Sequence, residues 1–264
     1  NGTHYYVAAD KVKIAGGILT VAAGEELCLH LNGHSIKTTS EYAIEGKTGY
    51  AFNIMGNGNV EAAGSRAYGT VAVKGGTVRL FGGTYTTTND WYVVSMGAAD
   101  TNLYMYDGAT INGKADATSA VVCAQPANLY LYGGTINANK GTGLYLSNGT
   151  TYLAGVTVNA AGGRGVNVAA AAATVEQSAG TVTGATRNNV YMTAGTYNLS
   201  GGEITGGNRE GNGGNVMLEG TGVFHMTGGT IKDGTVSGNK YGAGGNIYYE
   251  ATTASTETVA YGQH

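Results

Sequence analysis

Asp90 and Asp116 stand 26 residues apart, with Trp91 beside the first and Lys114 and Lys140 near the second. Two carboxylates and a cation gathered at one place would suit polysaccharide cleavage, with a paired acid and base, or would seat a calcium ion. These two residues are therefore the candidate catalytic groups, set against the simpler reading of solvated loop acids. Of the 17 Asp and Glu, only Glu25 and Glu26 are adjacent, and Asp107, Glu203 and Glu219 fall at different places in their local sequence. His30 and His34 belong to a corner motif, and His225 is expected to face solvent. Cys28 and Cys123 lack metal-ligand spacing. No zinc site and no other cofactor is expected.

A second set of candidates is aromatic. In Leu129-Tyr-Leu-Tyr132 and Leu103-Tyr-Met-Tyr106 the rings alternate with aliphatic residues, and Arg79 and Phe81 alternate with Val78 and Leu80 in the same way. Strand side chains point to opposite faces in turn, so aliphatic residues in a core leave the rings outside. Phe81, Tyr104, Tyr106, Tyr130, Tyr132 and Tyr152 are thus the candidate ligand-binding residues. An exposed aromatic patch suits sugar rings or a protein partner. Alternatively, the rings form ladders that stabilise the sheet, at roughly 0.2–1 kcal/mol per pair. A smaller set, Tyr145, Tyr191 and Tyr248, reads as structural.

The elements that must position these residues repeat. A short apolar strand runs into a glycine-rich corner nine times, each unit closing on Ile36, Val60, Tyr85, Ile111, Ile136, Val158, Val182, Ile204 or Ile231, at spacings of 22 to 27 residues. Such a period marks a solenoid. About ten residues after the corner comes another alternating run, as in Leu144-Tyr-Leu146, Val166-Asn-Val168 and Val216-Met-Leu218. With the short piece following the corner, this gives three strands per turn of chain, the plan of a parallel β-helix. The run Ala169 to Ala173 reads as a small-residue corner, and Asn112–Ala120, Ala160–Gly165 and Ile204–Asn215 read as loops.

Two polar columns follow from the same register. One comprises Ser35, Asn59, Thr84, Thr110, Thr135, Thr157, Thr181, Glu203 and Thr230; the other lies two residues further on, from Lys37 through Asn112 and Asn137 to Lys232. A flat threonine array would suit ice, although β propensity alone places threonine there. Asparagine can stack its amides along the axis.

Composition bounds the remaining classes. Hydrophobic content of 42% with 12% charged residues describes a folded chain. The 47 glycines follow no Gly-X-Y triplet, which excludes collagen. A net charge of −3, with 14 Lys and Arg scattered along the chain, argues against nucleic acid as a partner. No apolar run is long enough to span a bilayer. The cysteines lie about three rungs apart and are expected as free thiols. The chain opens on Asn1 and reads as a mature or excised piece.

Leu29, Leu31, Asn32, Gly33, His34 and Ile36, together with the later Gly-Gly-Thr-Ile, Gly-Gly-Asn-Val and Gly-Gly-Asn-Ile units, resemble the right-handed parallel β-helix regions of large bacterial surface and adhesin-like proteins. The expected fold is therefore an all-β, single-domain right-handed parallel β-helix of about nine rungs. Residues 1–26 would form an N-terminal strand or cap region, 27–250 the repeats, and 251–264 a tail or the start of a following segment. The resemblance is specific for the fold and says little about activity, since that family includes adhesin-like proteins and polysaccharide-degrading enzymes; the expected role is a non-catalytic, extracellular or surface-attached bacterial module whose aromatic face meets glycans or a cell-surface protein. Three alternatives stay open: a filament subunit associating end to end, a β-helical lyase or glycoside hydrolase acting through Asp90 and Asp116, and an ice-binding protein.

Overall fold

A computed structural model describes residues 3–6, 12–13, 24, 26–46, 48–49, 51–64, 69–238 and 242–250. Two sheets, of 16 and 9 strands, run the length of the described chain, and a two-stranded sheet lies beside them. Every strand pair is parallel, as in Glu26–His30 on Ala51–Met55 and Arg164–Val168 on Val190–Met192. The fold is a parallel β-helix, consistent with the right-handed winding that parallel crossovers favour.

Each turn of chain supplies three strand segments. In Gly76–Thr87, Thr101–Asn112, Gly149–Asn159 and Ala173–Thr183 the first two are one continuous strand that bends at the corner. This is why two faces of the solenoid belong to the larger sheet. All nine corner residues named from the sequence align in a single column from Ile36 to Ile231. They face a shared core with Phe52, Leu80, Met105 and Leu129 from the first segment and Ile44, Val94, Leu144 and Val190 from the third. Full burial of each such side chain contributes roughly 1.5–3 kcal/mol.

The Gly-Gly corner has two separate causes. At Gly133 a Cβ would fall 1.9 Å from Asp107 Oδ1 of the preceding rung, so only hydrogen fits. Gly134 has φ +80 and a Cβ there would also lie 2.4 Å from the Ala109 carbonyl oxygen. The pairs Gly201-Gly202 and Gly228-Gly229 repeat the arrangement.

Ala169 to Ala172 form a corner leading into the strand that begins at Ala173, as the sequence suggests. The stretch 204–215 differs from its reading as a loop, because Asn208–Glu210 is a strand paired with Thr235–Ser237. Alternation is absent from so short a segment, and its partner lies a full turn away. Thr3–Tyr6 and Val12–Lys13 add strands ahead of the first repeat, pairing with Leu27–His30 and with Ile36 and Lys37. The rest of the expected cap between Val7 and Ala23, and the segment 251–264, lie outside the described residues. Both cysteines are buried and free. Among the described residues, no helix is long and apolar enough to cross a membrane.

Candidate ligand-binding site

The sheet register converts the alternating sequence into two columns of rings. Arg79, Tyr104, Tyr130, Tyr152 and Glu176 occupy one, rung upon rung. Phe81, Tyr106 and Tyr132 form the other. Within the first, Tyr104 and Tyr130 have centroids 4.5 Å apart at 7°, and Tyr130 and Tyr152 are 5.0 Å apart at 9°. Phe81 and Tyr106 stack at 4.6 Å and 8°, and Tyr132 closes its column tilted by 31° at 5.6 Å from Tyr106. The Arg79 guanidinium caps Tyr104 at 5.5 Å and reaches Asn53 and Glu26. The structure thus brings all six sequence-selected rings together.

Stacking along the axis also limits what the patch can offer. A ring sandwiched between two others has both π faces covered and shows solvent its edge and hydroxyl. Tyr106 and Tyr130 are placed so, and Tyr104 lies between Tyr130 and Arg79, which commits half of the six rings to the ladder. Phe81 and Tyr152 also have a ring on one side only among the described residues, but the space for a ligand lies at the far end, beside Tyr132. Past Tyr132 the second column changes to small residues, and a depression of about 430 Å³ opens there, lined by Tyr130, Tyr132, Tyr152, Ala154, Glu176, Ser178 and Ser200. Tyr132 is the most exposed of the six at 45%, against 37% for Tyr152. Glu176 is fixed by a 2.7 Å hydrogen bond from Asn198 to its Oε1, leaving Oε2 to accept from a ligand. Burial, followed by the neighbouring tyrosines, raises the Tyr130 pKa and keeps its hydroxyl a neutral donor. The site offers an open ring face, a carboxylate and hydroxyls. Spacing revealed the rings; the small residues at 154, 178 and 200, one per rung on the same face, were the unread signal.

Asp90 and Asp116 do come together, as their spacing suggests. Lys114 Nζ lies 2.7 Å from Asp90 Oδ1 and 2.9 Å from Asp116 Oδ1. All three groups are at the surface. Hydrogen bonds from the lysine lower the Asp116 pKa, while those to the two carboxylates raise that of Lys114. Those hydrogen bonds favour the charged form of Asp116, the opposite of what a general acid requires. Among the described residues no group of three or more His, Cys, Asp or Glu side chains is placed to hold a metal.

The polar columns also align as expected, from Ser35 to Thr230 and from Lys37 to Lys232. Ion pairs Lys37–Glu61 and Lys232–Glu203 mark their two ends. Asn137 donates to Asn112 at 2.7 Å, so the amides stack along the axis. A second asparagine ladder, buried at Asn189 and Asn215 and exposed at Asn246, had not been singled out from the sequence. Asn189 donates to Asn215 Oδ1 at 2.7 Å, and Asn215 to Asn246 Oδ1 at 2.8 Å. Each also binds backbone groups within the turn, Asn215 accepting from Gly207 N–H and donating to the Lys232 carbonyl. Its signal was an asparagine immediately before Val190, Val216 and Ile247.

The scattered basic residues are partly regrouped by the fold, since Arg164, Arg187 and Arg209 line one cleft with Thr186 and Glu210. The class that fold and surface together define is a parallel β-solenoid with an exposed aromatic face. No protein-family model, curated protein or solved structure matches the chain.

Proposed function

We propose that the chain is a non-catalytic module of a secreted or surface-attached bacterial protein that holds a glycan at the end of its tyrosine ladder. A pyranose ring would lie on the open face of Tyr132, with its hydroxyls meeting Glu176, Ser178, Ser200 and the tyrosine hydroxyls. The observation that carries this reading is the change of residue size along one column, from Phe81, Tyr106 and Tyr132 to Ala154, which leaves one ring face uncovered above a polar floor. Concave sites with an apolar wall and a few convergent polar groups are the usual form of small-ligand sites. The extracellular setting rests on the resemblance of the repeats to bacterial surface β-helices.

The test is a glycan array probed with the wild-type chain, Tyr132→Ala, Glu176→Gln and Phe81→Ala. Binding should vanish in the first variant, weaken in the second and persist in the third. Glycan binding that Tyr132→Ala leaves unchanged would remove the site, and binding lost equally in Phe81→Ala would move it to the ladder as a whole.

A further inference from the structure

Arg164, Arg187 and Arg209 are three of the chain's five arginines, and their spacings of 23 and 22 residues match one turn each. Arg164 opens the strand Arg164–Val168, Arg187 sits in the approach to Val190–Met192, and Arg209 is the middle residue of Asn208–Glu210. Neighbouring rungs lie about 4.8 Å apart. The three guanidiniums therefore arrive from successive rungs at one cleft of about 370 Å³, with Glu210 at its edge.

Two of the three are held in place. The Arg164 guanidinium lies over the Tyr191 ring, 3.7 Å from its centroid, and the Tyr191 hydroxyl donates to Glu219 Oε2 at 2.5 Å. Arg209 Nη1 donates to the buried Asn188 Oδ1 at 3.0 Å and to the Asn212 carbonyl at 3.3 Å, which leaves its other nitrogens for a ligand. The Arg187 side chain is exposed, while its backbone N–H is anchored on the Gly163 carbonyl at 3.1 Å. Among the described residues none of the three forms an ion pair with a carboxylate. Arg164 Nε is buried without a hydrogen-bond partner. Three guanidiniums on adjacent rungs outnumber the carboxylates beside them, Glu210 at the cleft's edge and Glu219 behind Tyr191, which is unfavourable for folding, and an unmet buried donor adds to that cost. Partial burial, with repulsion from Arg187 and Arg209 behind it, lowers the Arg164 pKa.

We infer that this cleft is a binding site for a tetrahedral oxyanion, a phosphate or sulfate group. Planar guanidinium forks match such groups with paired hydrogen bonds, and a doubly charged anion offsets the net charge of three arginines and one glutamate. The site is independent of the tyrosine depression and does not rest on glycan binding there. The group is either a free inorganic ion or an ester carried on a polysaccharide.

Isothermal titration calorimetry of the full chain distinguishes these sources, using inorganic phosphate, inorganic sulfate, dextran sulfate and uncharged dextran as probes. Arg187→Ala, whose exposed side chain makes no hydrogen bond or ion pair among the described residues, should melt no lower than wild type and weaken anion binding at least about tenfold. Glu210→Gln should tighten it. Binding of the inorganic ions with this pattern supports a free oxyanion, and binding of dextran sulfate alone with the same pattern supports an ester. Absence of binding to all three anions, or affinity in Arg187→Ala equal to wild type, overturns the inference.

Discussion

Removing one ring from the middle of the ladder should cost stability in proportion to its stacking partners. Tyr104 faces Tyr130 at 4.5 Å on one side, and the Arg79 guanidinium reaches it at 5.5 Å. A close aromatic pair contributes about 0.5–1.5 kcal/mol beyond its area, and an exposed cation–π contact about 0.5–1 kcal/mol. Tyr104→Ala should therefore destabilise the chain by about 1–2.5 kcal/mol. The assay is urea unfolding followed by circular dichroism, with the midpoint falling while the slope stays constant. A double-mutant cycle with Tyr130→Ala isolates the stack itself, for which a coupling of about 0.5–1.5 kcal/mol is expected. Coupling below about 0.3 kcal/mol, the level of independent sites, would show that the rings do not support one another. The reasoning that their faces are already occupied would then fail, and with it the assignment of binding to the ladder's end.

The asparagine ladder gives a second expectation: Asn215→Ala leaves the buried Gly207 N–H unmet and should cost about 1–3 kcal/mol in the same unfolding assay. Gly134→Ala should destabilise by more than about 1 kcal/mol because of its positive φ and its close approach to Ala109. Gly97→Ala, where the nearest neighbour of a Cβ would be 3.8 Å away, should be tolerated in the same denaturation series. On alkaline titration, Tyr92, pushed up to about 12 by burial with Cys123 and Tyr145 behind it, should ionise late by tyrosinate absorbance. Tyr85 and Tyr197 are fully buried and held well above the ordinary range by desolvation, their hydroxyls donating to the Gly82 carbonyl and to Gln177 Oε1. Their raised folded-state pKa values leave stability intact below about pH 10 and lower it above, as the unfolded chain releases protons that the folded one retains. The last tyrosinate phase should coincide with loss of strand signal, and full ionisation of a still-folded chain would contradict their burial.

Period and alternation made the fold legible because each rung repeats the same physical problem. Leu129 and Leu131 must face the core whatever their neighbours, and the Gly133-Gly134 corner must pass close to the previous turn. The register of Phe81 through Tyr152 followed from those constraints alone. The ladder's stacking geometry did not, since alternation fixes the side of a sheet and says nothing of ring tilt. The opening past Tyr132 depends on the smallness of Ala154, Ser178 and Ser200, residues that draw no notice in a linear reading. The arginine cleft was hidden for a related reason. Arg164 opens a strand, Arg187 stands in the loop before one, and Arg209 rides on a short strand paired a turn away, so their common position is not visible as a repeat. Asp90 and Asp116 met as spacing suggested, yet spacing could not show that Lys114 would sit between them.

Extending the ladder by one ring tests the central claim most directly. Ala154→Tyr would place an aromatic ring over the open face of Tyr132 and fill the depression while keeping every tyrosine, Glu176 and both serines that line it. On the glycan array this variant, folded and at least as stable as wild type, should lose the binding that the wild-type chain shows. Undiminished binding by Ala154→Tyr would contradict the account, because no ligand can rest on a ring face that another tyrosine already covers.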